Sequence, residues 1–413
     1  MLKVATAFSG GFGSVEFALK YLEIPHEIVF ACEWMKPQRE SYILNHGEPT
    51  SNFYEDIRTL DGTKYKGEID YYHLSPPCQS YSLAGSRGGA TDERGGLMFE
   101  AIKSIDQVQP KMFSVENVKG LLSSNGGEDW KNIIRDFKSL KGYTISWGIM
   151  NAKEQGTPQN RERVFIVGFR GQAPQFSFPP RQEMKFTLKD LLDDVVDDKY
   201  FLNNSQIEKF SSSNFNQESS RLQEKDYCDA LLKRDFKSPK LVQVGNIDQK
   251  GHNSLWGRVY NTNGIAPTQN AKGGGGGAKT GLFMVEPKKI NFYVVPRGGN
   301  SGGWRELNVS PAITSSSLAY NNFINYKCLI RKLTPRECAR VQGDFKDMFK
   351  FGKASDTKLY EFIGNAMDIN TTKNLISRML NHLKNNVNIT VPGSSSFVKK
   401  ENVVTNLFDI EVA

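Results

Sequence analysis

The chain has 413 residues, of which 38% are hydrophobic and 24% charged, and a net charge of +8. That length exceeds one ordinary core and predicts two domains, or one domain carrying a large insertion. Five scattered cysteines, no CxxC pair and only five histidines argue against a structural zinc site or a disulfide framework.

No apolar run reaches membrane-spanning length, and Met1-Leu2-Lys3-Val4 leads directly into a strand pattern. Neither a membrane partner nor a signal peptide is expected, and a reducing cytoplasm is. The basic balance by itself points only weakly to a polyanionic partner.

Residues 1–170 alternate strand-like and helix-like segments, the rhythm of a mostly parallel sheet in an α/β fold. Val4 to Phe8 reads as a strand, followed by a glycine-rich turn and a helix near Val15 to Leu22. Ile28 to Cys32, Ile69 to Leu74, Met112 to Val115 and Val164 to Phe169 continue the set of strands.

After Gly171 the character changes. Pro174, Pro179 and Pro180 interrupt the chain, and Thr187 to Leu192 predicts one short helix. From about Ser205 to Tyr320 the chain is rich in Asn, Ser, Gly and Gln with little helical period, and Gly273 to Gly277 is an unbroken glycine run. A loop-rich domain suits this composition, and for the glycine run a linker suits it equally.

Helical period returns from Arg331 to about Leu383, opened by Thr334-Pro335-Arg336-Glu337 as a cap. The polar stretch 384–413 reads as a mobile tail.

Three features carry chemistry. Phe8-Ser9-Gly10-Gly11-Phe12-Gly13-Ser14 joins the first strand to the first helix, where glycines permit a tight turn and close approach of a ligand. Glu33 follows Gly13 by 20 residues and closes the second strand, where a carboxylate can accept from ribose hydroxyls; Asp56 can do the same for an adenine amino group. Together they predict an adenosine-containing ligand, without separating a dinucleotide from S-adenosylmethionine. Finally, Ser75-Pro76-Pro77-Cys78 sets a thiol on a stiff turn at a strand's carboxyl end, open to reading as a nucleophile or as an inert small hydrophobe.

Taken in order, Phe8-Ser9-Gly10, Glu33-Trp34, Asp56-Ile57, Pro77-Cys78-Gln79 and Arg94-Gly95-Gly96-Leu97 form a recognisable series. Glu116-Asn117-Val118, Pro158-Gln159-Asn160-Arg161-Glu162-Arg163, Arg331 to Glu337 and Gly364-Asn365 continue it. The chain resembles the cytosine carbon-5 DNA methyltransferases of bacterial and phage type.

The resemblance implies a Rossmann-like S-adenosylmethionine-dependent methyltransferase domain, discontinuous over 1–170 and 331–383, and a smaller target-recognition domain over 171–330. It implies Cys78 as nucleophile, Glu116 on the cytosine ring, and Arg163 with Arg161 on the base oxygen and catalytic loop. Phe8, Ser9, Gly10, Gly13, Glu33, Trp34, Asp56, Pro77, Leu97 and Asn365 would contact S-adenosylmethionine.

Double-stranded DNA is the implied partner. The target base lies inside its stack and must be extruded. The glycine-bearing loop Ser80 to Gly96 would close over it, with Ser82, Arg87 and Arg94 at the DNA. Arg258, Arg297 and Arg305 either read guanine edges and phosphates or are solvated loop charges. The expected enzyme is a metal-free monomer in a bacterial or phage-infected cell, solitary or paired with a restriction endonuclease.

Four departures stand out. Gly11-Phe12 occupies the place of one aliphatic residue, and Ser75-Pro76 replaces a commoner Gly-Phe, as in the RNA-modifying branch of the family. Ala366 stands where Ser is usual, and Asp344-Phe345 where Phe-Pro is commoner. A methyltransferase acting on structured RNA and a catalytically silent DNA-binding homologue are the competing readings. Thr405-Asn406-Leu407-Phe408 in the tail faintly resembles a sliding-clamp peptide.

Overall fold

A computed structural model describes residues 1–77, 96–184, 187–201 and 333–386, together with the backbone of seven short strands between 243 and 331. Cys78, the loop through Arg94, Arg297 and the tail beyond 386 lie outside the described residues.

Seven strands make one sheet: β1 (Leu2–Ala7), β2 (His26–Cys32), β3 (Asn52–Tyr54), β4 (Tyr71–Leu74), β5 (Met112–Val118), β6 (Tyr143–Asn151) and β7 (Glu162–Arg170). Their order is β3-β2-β1-β4-β5-β7-β6. Every pairing is parallel except those of β7, which runs antiparallel between β5 and β6. Strand order reverses between β1 and β4, and the crevice at the carboxyl ends of such strands is where α/β folds bind ligands.

β1 is buried on both faces. Leu2 and Val4 join one core and Ala5 and Ala7 the other, which is why small and apolar residues occupy both faces of the strand. The first core is covered by α1 (Ser14–Tyr21), α5 (Pro335–Val341), α6 (Asp356–Asn365) and α7 (Ile369–Asn386); the second by α3 (Leu97–Val108) and α4 (Glu128–Lys138). α2 (Lys36–His46) lies against the turn after β1.

β7 is threaded between its neighbours by a close approach. Gly168 stands opposite Phe113, and a Cβ there would fall 2.1 Å from the Phe113 ring.

Helix α5 begins as expected. Thr334 Oγ1 accepts from Glu337 N at 3.2 Å, and Glu337 Oε2 accepts from Thr334 N at 2.8 Å, with Pro335 at the first helical position. The helix expected over Thr187 to Leu192 is a single 3-10 turn, Leu188–Leu191. Phe176, Leu188, Leu191 and Tyr200 are buried in the first core, so the chain beyond residue 170 stays packed on the sheet domain as far as Tyr200.

The span from Ser205 to Tyr320, expected to be irregular, contains strands. β8 (Gln243–Asn246), β9 (Arg258–Asn261), β10 (Leu282–Val285) and β14 (Leu329–Arg331) form a sheet ordered β14-β10-β9-β8. β11 (Asn291–Val294), β12 (Gly303–Glu306) and β13 (Asn321–Ile324) form a second, ordered β12-β11-β13. Strands of three or four residues among Gly and Asn are too short to show a two-residue period. Arg258 opens β9, and Arg305 lies on β12 opposite Phe292.

Candidate active site

Five turns converge on the carboxyl edge of the sheet. After β1 the chain reverses through Phe8, whose φ of 55° puts a non-glycine residue in the left-handed region, then Gly10 (φ 67°) and Gly13 (φ 68°). Such strain persists only where surrounding contacts enforce it. Glu33, buried beyond β2, supplies one: Oε2 accepts from Gly10 N at 3.0 Å, and Oε1 from Met35 N at 2.9 Å. Burial raises the Glu33 carboxyl above its ordinary range, and these two N–H donors and Arg39 oppose the rise.

Trp34 is 66% exposed, with the Arg58 guanidinium 5.8 Å from its ring centroid. Arg58 also binds Asp56, Nε to Oδ2 at 2.9 Å and Nη2 to Oδ2 at 2.7 Å. Burial disfavours the Asp56 charge, but the hydrogen bonds from Arg58 outweigh it and hold the carboxyl below its ordinary range. Asp56 is therefore an anion already shared with a cation.

Arg39 fastens this corner. Its Nη1 donates to the carbonyls of Glu33 and Trp34 at 2.9 and 2.7 Å, and its Nη2 pairs with Glu55 at 2.7 Å. Nothing in its local sequence marks Arg39, because both partners lie on other turns.

The Ser75–Pro77 turn follows β4. Ser75 N donates to Ala7 O at 3.2 Å, and Asn117 Nδ2 donates to Pro76 O at 3.0 Å. Asn117 thus fixes the backbone two residues before Cys78. His73 Nδ1 meets Ser114 Oγ at 2.7 Å and Nε2 meets Ser75 Oγ at 2.9 Å, and burial pushes its pKa down to about 3. A neutral imidazole held on both nitrogens supplies no charge to a neighbouring thiol.

Glu116 and Arg163 meet across β5 and β7. Phe165 is the register partner of Glu116 and Val118 that of Arg163, so the pair is diagonal, and Arg163 Nε stands 2.9 Å from Glu116 Oε1. Both are largely buried, with 16% and 12% of the side chain exposed.

Arg161 has a different neighbourhood. It stands just ahead of β7, is buried, and donates from Nη2 to Ala366 O at 2.7 Å and Gly364 O at 3.3 Å. Burial, then the like charge of Arg163, push its pKa down to about 9, so it stays cationic at neutral pH. Gln159 Nε2 reaches Val341 O at 2.6 Å, and Gln342 Nε2 reaches Ile363 O at 2.8 Å. These contacts brace the returning segment, which presents Asn365 exposed at the end of α6 and is tied to α1 by Ser14 Oγ donating to Met367 O at 2.9 Å.

The sheet therefore brings together Phe8, Ser9, Gly10, Gly13, Glu33, Trp34 and Asp56 at the turns after β1, β2 and β3, and Pro77, Glu116 and Arg163 at the ends of β4, β5 and β7. Leu97 opens α3 and, like Phe8, packs on the edge of the second core. Cys78, Ser82, Arg87, Arg94 and Arg297 lie outside the described residues, as do the side chains of Arg258 and Arg305.

The model of one family, described as C-5 cytosine-specific DNA methylase, matches residues 3–381. This chain belongs to that family. Among similar proteins, the orphan methyltransferase M.SPRI of Bacillus phage SPR is 27% identical, over 92% of this chain and 97% of that one. The type II methyltransferase M.HpaII of Haemophilus parainfluenzae is 30% identical, over 91% of this chain and 88% of its own.

Two solved structures share the fold. The S. pombe Dnmt2 methyltransferase has a TM-score of 0.61 at 18% identity, covering 93% of this chain and 99% of that one. The Entamoeba histolytica methyltransferase EhMeth has a TM-score of 0.60 at 15% identity, with coverages of 93% and 99%. As a member of the DNA cytosine-5 methylase family the chain is a methyltransferase with a Rossmann-like domain. No helix among the described residues is long and apolar enough to cross a membrane.

The turns after β1, β2 and β3 fit the co-substrate of this family, S-adenosylmethionine. A glycine turn with left-handed φ values admits close backbone approach, an anchored carboxylate faces it, and an exposed indole offers a stacking surface.

Proposed function

We propose that the protein methylates carbon 5 of a specific cytosine in double-stranded DNA, extruding the base and holding it through a covalent bond to Cys78. The observation that carries this reading is the Glu116–Arg163 pair at 2.9 Å, beside the backbone that Asn117 pins two residues before Cys78.

Carbon 5 of cytosine is a poor nucleophile. Addition of the Cys78 thiolate at carbon 6 turns the ring into an enamine, whose carbon 5 forms the new bond to the methyl group. Loss of the carbon-5 proton and departure of the thiolate restore the aromatic ring. Glu116 binds ring N3 and the exocyclic amine, and Arg163 both orients Glu116 and faces the base oxygen. When bound, S-adenosylmethionine supplies the electrophilic methyl, held by Phe8, Ser9, Gly10, Gly13, Glu33, Trp34, Asp56, Pro77, Leu97 and Asn365.

The sheet domain comprises 1–170 and 331–383, and within 171–330, the segment given to target recognition, the chain as far as Tyr200 packs on the sheet domain, leaving the part beyond it, with Arg258, Arg297 and Arg305, to read the DNA. Ser82, Arg87 and Arg94 meet the DNA backbone. The enzyme acts as a monomer in a bacterial or phage-infected cell, alone or beside a restriction endonuclease. A second reading, methylation of structured RNA, is favoured by Ser75-Pro76-Pro77-Cys78.

Transfer of labelled methyl to unmethylated duplex DNA, run in parallel with tRNA, separates the two. Label in DNA is expected, with Cys78→Ser losing nearly all of it while keeping cofactor binding. Label in tRNA with silent DNA moves the substrate to RNA. Cofactor binding with neither substrate labelled makes this a silent homologue.

A further inference from the structure

The glycine turn carries one residue more than its relatives' pattern leads one to expect, and the structure accounts for where that residue goes. Phe12 turns inward and is 1% exposed, its ring centroid 5.2 Å from Phe17 and 4.9 Å from Phe349. The backbone on either side is bent round that anchor and needs support.

The support comes from one face of α2. Ser41 Oγ donates to Gly11 O at 2.7 Å, and His46 Nε2 bonds Phe12 O at 2.9 Å. A carbonyl only accepts, so His46 carries its proton on Nε2. Its Nδ1 must then accept from Lys20 Nζ, 3.1 Å away. The tautomer is fixed from both sides.

The fit is tight: a Cβ on Gly13 would stand 2.3 Å from His46 Nε2. Below the same helix face, Tyr42 Oη and Thr6 Oγ1 donate to buried Glu16, and Thr6 Oγ1 meets Ser9 Oγ at 2.8 Å.

Two consecutive peptide planes are thereby oriented. All described peptide bonds are trans, so each carbonyl points opposite to the next residue's N–H. With the Gly11 and Phe12 carbonyls drawn toward α2, the N–H groups of Phe12 and Gly13 point away from it. Both residues are buried directly ahead of α1, where the helix dipole adds partial positive charge.

We propose that Ser41 and His46 are positioning residues of the cofactor site, fixing the Gly11–Phe12 and Phe12–Gly13 peptide planes so that their N–H groups face the cofactor. The proposal rests on the reading of the glycine turn as the S-adenosylmethionine site. Neither side chain touches the reacting atoms, so both act on affinity and not on the chemical step.

The test is calorimetric binding of S-adenosylmethionine to the full chain and to Ser41→Ala, His46→Leu and His46→Gln, with DNA methylation at saturating cofactor and melting temperature beside it. Ser41→Ala and His46→Leu are each expected to weaken binding and raise KM for the cofactor about tenfold, roughly 1.4 kcal/mol, with kcat within twofold of wild type. His46→Gln keeps a donor near the Nε2 position and should recover most of the affinity. Ser41→Ala removes a single oxygen, so it remains measurable if His46→Leu folds poorly.

Unchanged affinity in Ser41→Ala with a lowered melting temperature would make the role merely structural and overturn the proposal. So would a fall in kcat with KM unmoved. Absence of binding by the wild-type chain would instead remove the reading of the turn itself, and this proposal with it.

Discussion

At the scale of single residues, the positive charge beside Glu116 is divided between two arginines with separate partners. Arg163 neutralises Glu116, whereas Arg161 is committed to the carbonyls of Gly364 and Ala366. On the proposed mechanism Glu116→Gln should lower methyl transfer by about 10²-fold or more, because it removes both the charge assigned to the adduct and the ionic partner of a buried guanidinium. Single-turnover rates with trapped DNA adduct measure this, and a normal rate would reassign the glutamate. Glu116-Asn117-Val118 was readable as a motif. The duty of Asn117 was not, since its partner Pro76 is 41 residues away.

At the scale of elements, strand ends were legible and strand neighbours were not. Apolar runs marked β1, β2, β4, β5 and β7 to within two residues at most ends, because a strand buried on both faces is mostly apolar along its length. Placing β7 between β5 and β6 depends on a residue with no side chain. Gly168 leaves the space that the Phe113 ring fills.

Gly168→Ala should therefore destabilise by about 1–3 kcal/mol, since neither the ring nor the sheet backbone can move freely. Chemical denaturation reads this as a lower midpoint with an unchanged slope. A shift within experimental error would show that the β5–β7 contact relaxes easily. The capping box at Thr334 to Glu337 was legible for the opposite reason: its partners are three residues apart.

At the scale of the whole molecule, the first core is closed by chain that returns after the second unit. Leu333, Val341, Ile363, Ile376 and Met379 are all buried within it beside Val4 and Phe17. A chain ended after residue 332 should bind a hydrophobic dye and be rapidly proteolysed, since one side of the sheet would lie open. A protease-resistant fragment with sharp thermal unfolding would contradict this.

By itself the sequence determined the family, the order of its motifs, the α/β class and the strand ends that carry Glu33, Asp56 and Glu116. Each of these is written in residue types a few positions apart, or in the periodicity of a buried strand. Only the tertiary structure decided that Arg161 braces Asn365 while Arg163 meets Glu116, that Arg39 ties the turns after β2 and β3 together, and that α2 turns Ser41 and His46 to the glycine loop. Those are hydrogen bonds between groups distant in the chain. A polar side chain buried for one such bond is indistinguishable, in sequence, from one facing water.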